Sequence, residues 1–315
     1  MNKLNKHTIL IAALVGCLAP VSCIAAKIGD PAAPLVLKQW IKDNPVDVRD
    51  GKNIYVLEFW AASDPASRAS IIKLAELQNS FEAKGVIVVG ISEDSADAAW
   101  HYVELMNKEI RYSIAVDDEH KTANAYMKTY GQARIPCAFV VGKDGRVLWY
   151  GHPLAGLDKA LDEITAGRYD LQKAMTLDAV RAGMDEYLSL ARAGDPKARE
   201  LGRKLLETST NDVVRLCDFA IRIASDSRNT NRDLALAGEV LDKVEKLAPT
   251  KTAHLVVARG VVLFESGKQD EGIALAKQAV NLARDEKEKT FIETYYLHPM
   301  EERKSAAAKK KGDSK

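Results

Sequence analysis

The pattern of apolar and polar positions divides the chain into two textures. Up to about residue 168, short β-rich apolar runs alternate with amphipathic stretches. Asn53 to Trp60, NIYVLEFW, and Val86 to Ser92, VIVVGIS, are continuous apolar runs of the length expected for buried strands. Between them the spacing predicts a helix from Pro65 to about Ala83, with Ile71, Ile72, Leu74, Leu77 and Phe81 on its buried side. A helix separating two strands makes them a parallel pair. A helix over Asp97 to Asn107, a short strand over Tyr112 to Val116 and a helix over Lys121 to Tyr130 follow. Strands Cys137 to Val141 and Arg146 to Tyr150 flank Gly142-Lys143-Asp144-Gly145, a hairpin signal, and Leu157 to Thr165 is a closing helix. Parallel units followed by a hairpin predict a mixed α/β sheet with helices on both faces.

From Leu171 onward the strand-like runs stop. Amphipathic helices of ordinary length follow, punctuated at Gly194-Asp195-Pro196, Ser209 to Asn211, Ser227 to Thr230 and Pro249. Gly260, Leu263, Phe264, Gly267, Glu271, Ile273, Ala279 and Leu282 fit the small/large alternation of a tetratricopeptide helix pair, and Val244, Leu247 and Pro249 resemble the end of a preceding repeat. The two registers disagree by one residue, so the segment is repeat-like, with an irregular helical bundle as the alternative. The expected boundaries are an α/β domain over 27–168, an all-α, TPR-like domain over 169–301 and a Lys-rich tail over 302–315. The tail lacks core residues and is expected to be disordered.

The first residues change the picture of where the protein works. Lys3 and Lys6 precede an apolar run, Ile9 to Val15, and small residues follow, the layout of an export signal over 1–26. Two processing sites compete. Leu14-Val15-Gly16-Cys17 is lipobox-like and would leave Cys17 acylated, whereas Ile24-Ala25-Ala26 before Lys27 suits simple cleavage. Apolar residues continuing past Cys17 favour the second. The expected location is exported and periplasmic, with membrane contact only through an acylated Cys17. A formal charge of +1 gives no field for recruiting nucleic acid. Of four cysteines, Cys17 and Cys23 fall in the export signal. Cys137 and Cys217 lie in different expected domains and read as two buried thiols. No Cys/His spacing suits a metal, and no cofactor is expected.

The chemistry turns on Glu58 to Arg68, EFWAASDPASR. With Gly90 in VVGIS, with Arg134-Ile135-Pro136, and with the run from Phe139 through Asp144-Gly145 to Trp149-Tyr150-Gly151-His152-Pro153, it resembles the exported TlpA-like thioredoxin family, a redoxin fold, over roughly residues 28 to 168. That family carries Cys-x-x-Cys in this turn and a cis-proline at the position of Pro136, so the resemblance implies a cis Ile135-Pro136 bond. In this chain Asp64 and Ser67 stand where the family has its cysteines, and Ser63 stands where it has a tryptophan.

Thiol-disulfide exchange requires a thiolate to attack sulfur and a second thiol to resolve the mixed disulfide. Neither a carboxylate nor a hydroxyl does this, so no catalytic residue is expected at the turn. Cys137, directly after Pro136, is the one substitute, and packing is the expected role for it. Glu58 matches the family's buried carboxyl, placing it beneath Ser67 with Asp64 nearby. It reads as a leftover buried carboxyl, the alternative being a hydrolase built on Glu58, Asp64 and Ser67. What the resemblance leaves intact is binding: Trp60, Pro65, Ile135 and Pro136 correspond to the family's groove for an extended peptide. The expectation is an exported, redox-inactive thioredoxin-like protein that binds proteins or peptides. The alternatives are an oxidoreductase using Cys137 and a structural anchor for the helices. Asp64, just before Pro65, is expected to cap the helix.

Overall fold

The computed structural model describes residues 26–43, 45–106, 109–208, 212–248 and 250–312. The export signal with Cys17 and Cys23 lies outside them, apart from residue 26. Among the described residues no helix is long and apolar enough to cross a membrane. The chain divides into two units between Thr165 and Ala166, three residues ahead of the expected boundary at 168.

The first unit is a thioredoxin-like α/β domain. Its elements are β1 (Leu37–Lys42), β2 (Ile54–Trp60), α1 (Pro65–Phe81), β3 (Val86–Ser92), α2 (Ala96–Leu105), β4 (Ser113–Asp117), α3 (Lys121–Ala123, continued by a π-turn over Asn124–Lys128), β5 (Cys137–Val141), β6 (Val147–Gly151) and α4 (Leu157–Thr165). They form one sheet in the order β1-β4-β3-β2-β5-β6. β2, β3 and β4 run parallel, while β5, β6 and β1 are antiparallel to their neighbours. The helix α1 between β2 and β3 makes that pair parallel, and the 142–145 turn makes the hairpin, with Gly145 at φ +73°. Strand β1 was not anticipated. Its sequence, LKQWIK, places polar residues among apolar ones, and register shifts interrupt its pairing with β4, so its apolar pattern is weak.

β2 is central and buried throughout. Alternation along it sends Ile54, Val56, Glu58 and Trp60 towards α1, α2 and α4, where Ile71, Leu74, Phe81, Tyr102, Val103, Leu157 and Leu161 complete a core. Its other face carries Phe59, packed with Tyr126 and Phe139 in an aromatic cluster. Ile72 departs from the expected pattern: it is 47% exposed, because the buried stripe of α1 follows Ser67, Ser70, Ile71, Leu74, Leu77, Gln78 and Phe81. α1 also ends sooner than read, giving way to a 3-10 turn over Glu82–Lys84 that Gly85 closes at φ +79°.

The second unit contains α5 (Leu171–Ala193), α6 (Lys197–Thr208), α7 (Val213–Ser225), α8 (Leu234–Leu247), α9 (Ala253–Glu265), α10 (Gln269–Asn281), α11 (Glu286–Ile292) and α12 (His298–Gly312). Side chains of Asp170, Asp212, Asp233, Thr252 and Asp285 accept backbone N–H bonds at the starts of α5, α7, α8, α9 and α11. The core is built from Tyr187, Leu216, Phe219, Val240, Leu241, Val244 and Val261 among others. α9 and α10 meet backbone to backbone. A Cβ on Gly272 would stand 2.7 Å from the Gly260 carbonyl oxygen, and one on Gly260 would stand 2.9 Å from the Gly272 oxygen.

The expectation of a disordered 302–315 tail is corrected over 302–312, where α12 runs to Gly312; residues 313–315 lie outside the described residues. Alanine and lysine are strong helix formers, and the first half of the helix is tied to the unit. Met300 is buried, Arg303 pairs with Glu265 at 2.6 Å, and Lys304 pairs with Asp270.

Candidate functional site

The segment leaving β2 turns into α1 at Asp64, whose extended backbone (φ −89°, ψ 117°) makes it the N-cap, with Pro65 in the first helical turn. One Asp64 oxygen, Oδ2, accepts both from the Ser67 backbone N–H and from the Ser67 hydroxyl, each at 2.7 Å. The Ser67 hydroxyl, followed by the backbone N–H groups of Ser67 and Ala66, holds the Asp64 carboxyl below its usual range against partial burial. Ser67 is fully buried. Its Oγ also lies 3.4 Å from the Ala61 N–H as an acceptor.

A second aspartate, not singled out from sequence, braces the same turn. Asp94 Oδ2 accepts from the Ala62 N–H at 2.7 Å and from the Ser92 hydroxyl at 2.8 Å. The signal available for it was Ser-x-Asp immediately after an apolar strand, a pattern suited to a local side-chain turn.

Glu58 is completely buried, but its partners differ from those expected. The carboxyl hydrogen-bonds with the Ser70 hydroxyl and accepts from the Tyr112 hydroxyl at 3.3 Å. Ser70 Oγ is in turn 2.9 Å from the Ser67 carbonyl oxygen. Burial pushes the Glu58 carboxyl up to about 8, with the bonds from Ser70 and Tyr112 acting the other way. The arrangement fits a neutral carboxyl at pH 7: Glu58 donates to Ser70, which donates to the Ser67 carbonyl. Ser70 and Tyr112 were missed because each is an unremarkable polar residue in a helix or beside a strand, brought to Glu58 only by packing.

Trp60 is corrected as a groove residue. It is 0% exposed and its ring lies 5.3 Å from that of Tyr102. Gly90 makes room for it, since a Cβ there would stand 2.9 Å from the indole Nε1. Pro65 is exposed, Ile135 half-buried and Pro136 buried, and the Ile135-Pro136 bond is cis. The Ile135 backbone N–H donates to nothing among the described residues. Cys137 is 2% exposed on β5, paired in register with Phe59. Cys217 is buried in α7, which pushes its thiol up to about 12. Neither is in a disulfide.

These positions decide what the turn can do chemically. Asp64 is a weak base, because its folded environment favours the ionised form. The Ser67 proton is engaged with that carboxylate, and Glu58 bonds to Ser70 and Tyr112 instead of Ser67. His152 uses Nδ1 to accept from the Leu154 N–H at 3.2 Å, and His120 pairs with Glu93 at 3.1 Å. No described histidine is hydrogen-bonded to Ser67 as a base. Asp64→Ala is expected to cost about 1–2 kcal/mol, because it removes a cap and leaves the buried Ser67 hydroxyl without its acceptor. Asp64→Asn, which keeps an acceptor oxygen, costs less. Urea denaturation of the three proteins checks the order.

Residues 28–150 match the AhpC/TSA family model. Protein FixW of Rhizobium leguminosarum is 27% identical over 214 residues, covering 65% of this chain and 90% of that protein. The match is longer than the first unit and so extends into the helical one. The thiol-disulfide oxidoreductase ResA of Bacillus thuringiensis subsp. konkukian is 25% identical over 125 residues, covering 39% of this chain and 68% of that protein. Among solved structures, a thiol:disulfide interchange protein of the thioredoxin family from Chlorobium tepidum shares 21% identity over 45% of this chain and 98% of its own, with a TM-score of 0.37.

Proposed function

We propose that the chain is an exported, TlpA-like member of the redoxin group that carries out no thiol-disulfide exchange and works by binding proteins or peptides. The observation that carries this reading is the Asp64–Ser67 cap. The two positions that hold the reactive sulfurs in the resembling family are here joined to each other at the start of a helix. A side chain so engaged is a structural lock on the turn. The surface beside it keeps what backbone recognition needs: an exposed Pro65, a half-exposed Ile135 and an Ile135 N–H with no internal acceptor. The TPR-like reading of the helical unit is supported by the close Gly260–Gly272 approach of α9 and α10 and makes that unit a second interaction surface.

The relatives named as thiol-disulfide oxidoreductases favour one other reading, an enzyme using Cys137. Its 2% exposure argues against that role, because exchange needs a thiolate that reaches the substrate sulfur. The protein from Lys27 onward is expected to reduce insulin with dithiothreitol no faster than buffer. Turnover that disappears in Cys137→Ser would make Cys137 catalytic and end the binding-only reading. Binding is read with an unfolded, thiol-blocked protein as probe. It is expected to be retained in Asp64→Asn and weakened in Ile135→Arg, and absence of binding to the unaltered protein would count against the groove.

A further inference from the structure

The helical unit contains a groove lined by charges of both signs, some of which the protein itself does not pair. A cleft of about 690 Å³ opens between the end of α5, the first turn of α6 and the start of α8. A smaller cavity of about 160 Å³ continues from it, sharing Arg199, Asp233 and Ala235. On the α6 side stand Arg199 and Arg203, one helical turn apart, and on the α8 side stand Asp233 and Glu239.

Elsewhere in this unit arginines find carboxylates readily, as in Arg192–Asp226 at 2.5 Å, Arg232–Glu265 at 2.6 Å and Arg259–Asp242 at 2.8 Å. Arg199, Arg203 and Glu239 are exposed to solvent and make no ion pair or side-chain hydrogen bond among the described residues. Asp233 uses Oδ1 to cap α8 through the Leu236 N–H at 3.0 Å, and its other oxygen bonds to nothing described. Tyr187 also lines the cleft. It is 1% exposed, and its hydroxyl has no partner among the described residues. Burial, with a smaller contribution from the charge of Asp233, pushes that hydroxyl up to about 12, so it stays a neutral donor and acceptor. Opposite charges facing one another along a groove without pairing suit a guest that carries both signs. A cleft that continues into a second cavity, with a neutral hydroxyl in its wall, suits peptide backbone.

We infer that this groove binds an extended peptide segment bearing both acidic and basic side chains, its carboxylates against Arg199 and Arg203 and its cation against Asp233 and Glu239. The inference rests on reading the helical unit as an interaction surface and adds the place and the chemistry of its ligand. The test uses the whole chain from Lys27 and short fluorescent peptides: alternating Glu and Lys, Glu alone, Lys alone, and uncharged. Fluorescence anisotropy is expected to show the mixed peptide binding at least about tenfold more tightly than the others. The Arg199→Gln, Arg203→Gln double variant should lose that preference with its melting temperature unchanged, since neither side chain has an internal partner to lose and no like charge is brought against Asp233 or Glu239. Equal binding of all peptides, strongest binding of the Glu peptide, or wild-type binding by the double variant would each overturn the inference. Unfolded-protein binding sensitive to Ile135→Arg, measured in parallel, separates failure of this groove from failure of the binding function itself.

Discussion

At pH 8 the Glu58→Gln protein is expected to be more stable than the unaltered one by on the order of 3–5 kcal/mol, and near pH 4.5 the two are expected to be equal. The carboxyl is fully buried and titrates at about 8 in the folded state, against 4.5 for an ordinary glutamate. Between those values the unfolded chain releases a proton that the folded chain retains. The slope of unfolding free energy with pH is therefore negative, at most about 1.4 kcal/mol per pH unit for one group. Stability from this group is fully present below pH 4.5, falls as pH rises through about 8, and is level above that. Glutamine reproduces the neutral carboxyl: its NH₂ donates to Ser70, and its oxygen accepts from Tyr112. Urea denaturation of both proteins from pH 5 to 8.5 measures the difference directly. Parallel curves would mean that Glu58 is ionised in the folded protein, and the neutral hydrogen-bond chain through Ser70 to the Ser67 carbonyl would be wrong.

Two glycine-to-alanine substitutions in the helical unit are expected to act with opposite signs. Gly272 has no room for a Cβ, which would meet the Gly260 oxygen at 2.7 Å and the Phe264 nitrogen and Cβ at 2.8 Å. Backbone atoms cannot move aside as a side-chain tip can, so α9 and α10 must separate. The net cost is about 1–3 kcal/mol even after the roughly 1 kcal/mol that alanine gains over glycine in a helix. Gly238 on α8 has nothing within 4 Å of the added atom, so Gly238→Ala should stabilise by about 0.5–1 kcal/mol. Calorimetry of the whole chain reads both in the transition of the helical unit. Destabilisation of equal size at both positions would show that helix approach at Gly272 is not what sets the cost.

Much of the first unit was legible because its strands are apolar for their full length. NIYVLEFW and VIVVGIS tolerate no alternative assignment once a proline-started helix separates them, and the hairpin announces itself in Gly142 and Gly145. The same logic failed at β1, where an interrupted edge pairing leaves only a partial apolar pattern. It failed also at Ile72, because periodicity locates a stripe on a helix to within one neighbour and packing chooses the member that is buried. The Lys-rich end was misread because composition reports the lack of a core but not the acidic partners Glu265 and Asp270 that receive its cations.

Composition and order of residues determined by themselves that the turn carries a carboxylate and a hydroxyl and no sulfur, since no fold restores sulfur to Asp64 or Ser67. They also determined the α/β-then-helical architecture and the capping aspartate, all of which rest on interactions within a few residues or on the periods of helix and strand. Tertiary structure alone decided that Trp60 is core, that Glu58 answers to Ser70 and Tyr112, that Asp94 braces the turn, and that the charges of α6 and α8 face each other unpaired. Each of those facts joins residues on different elements. Local pattern sets which way a side chain leaves its own helix or strand, and only the packing of one element on another sets what it meets.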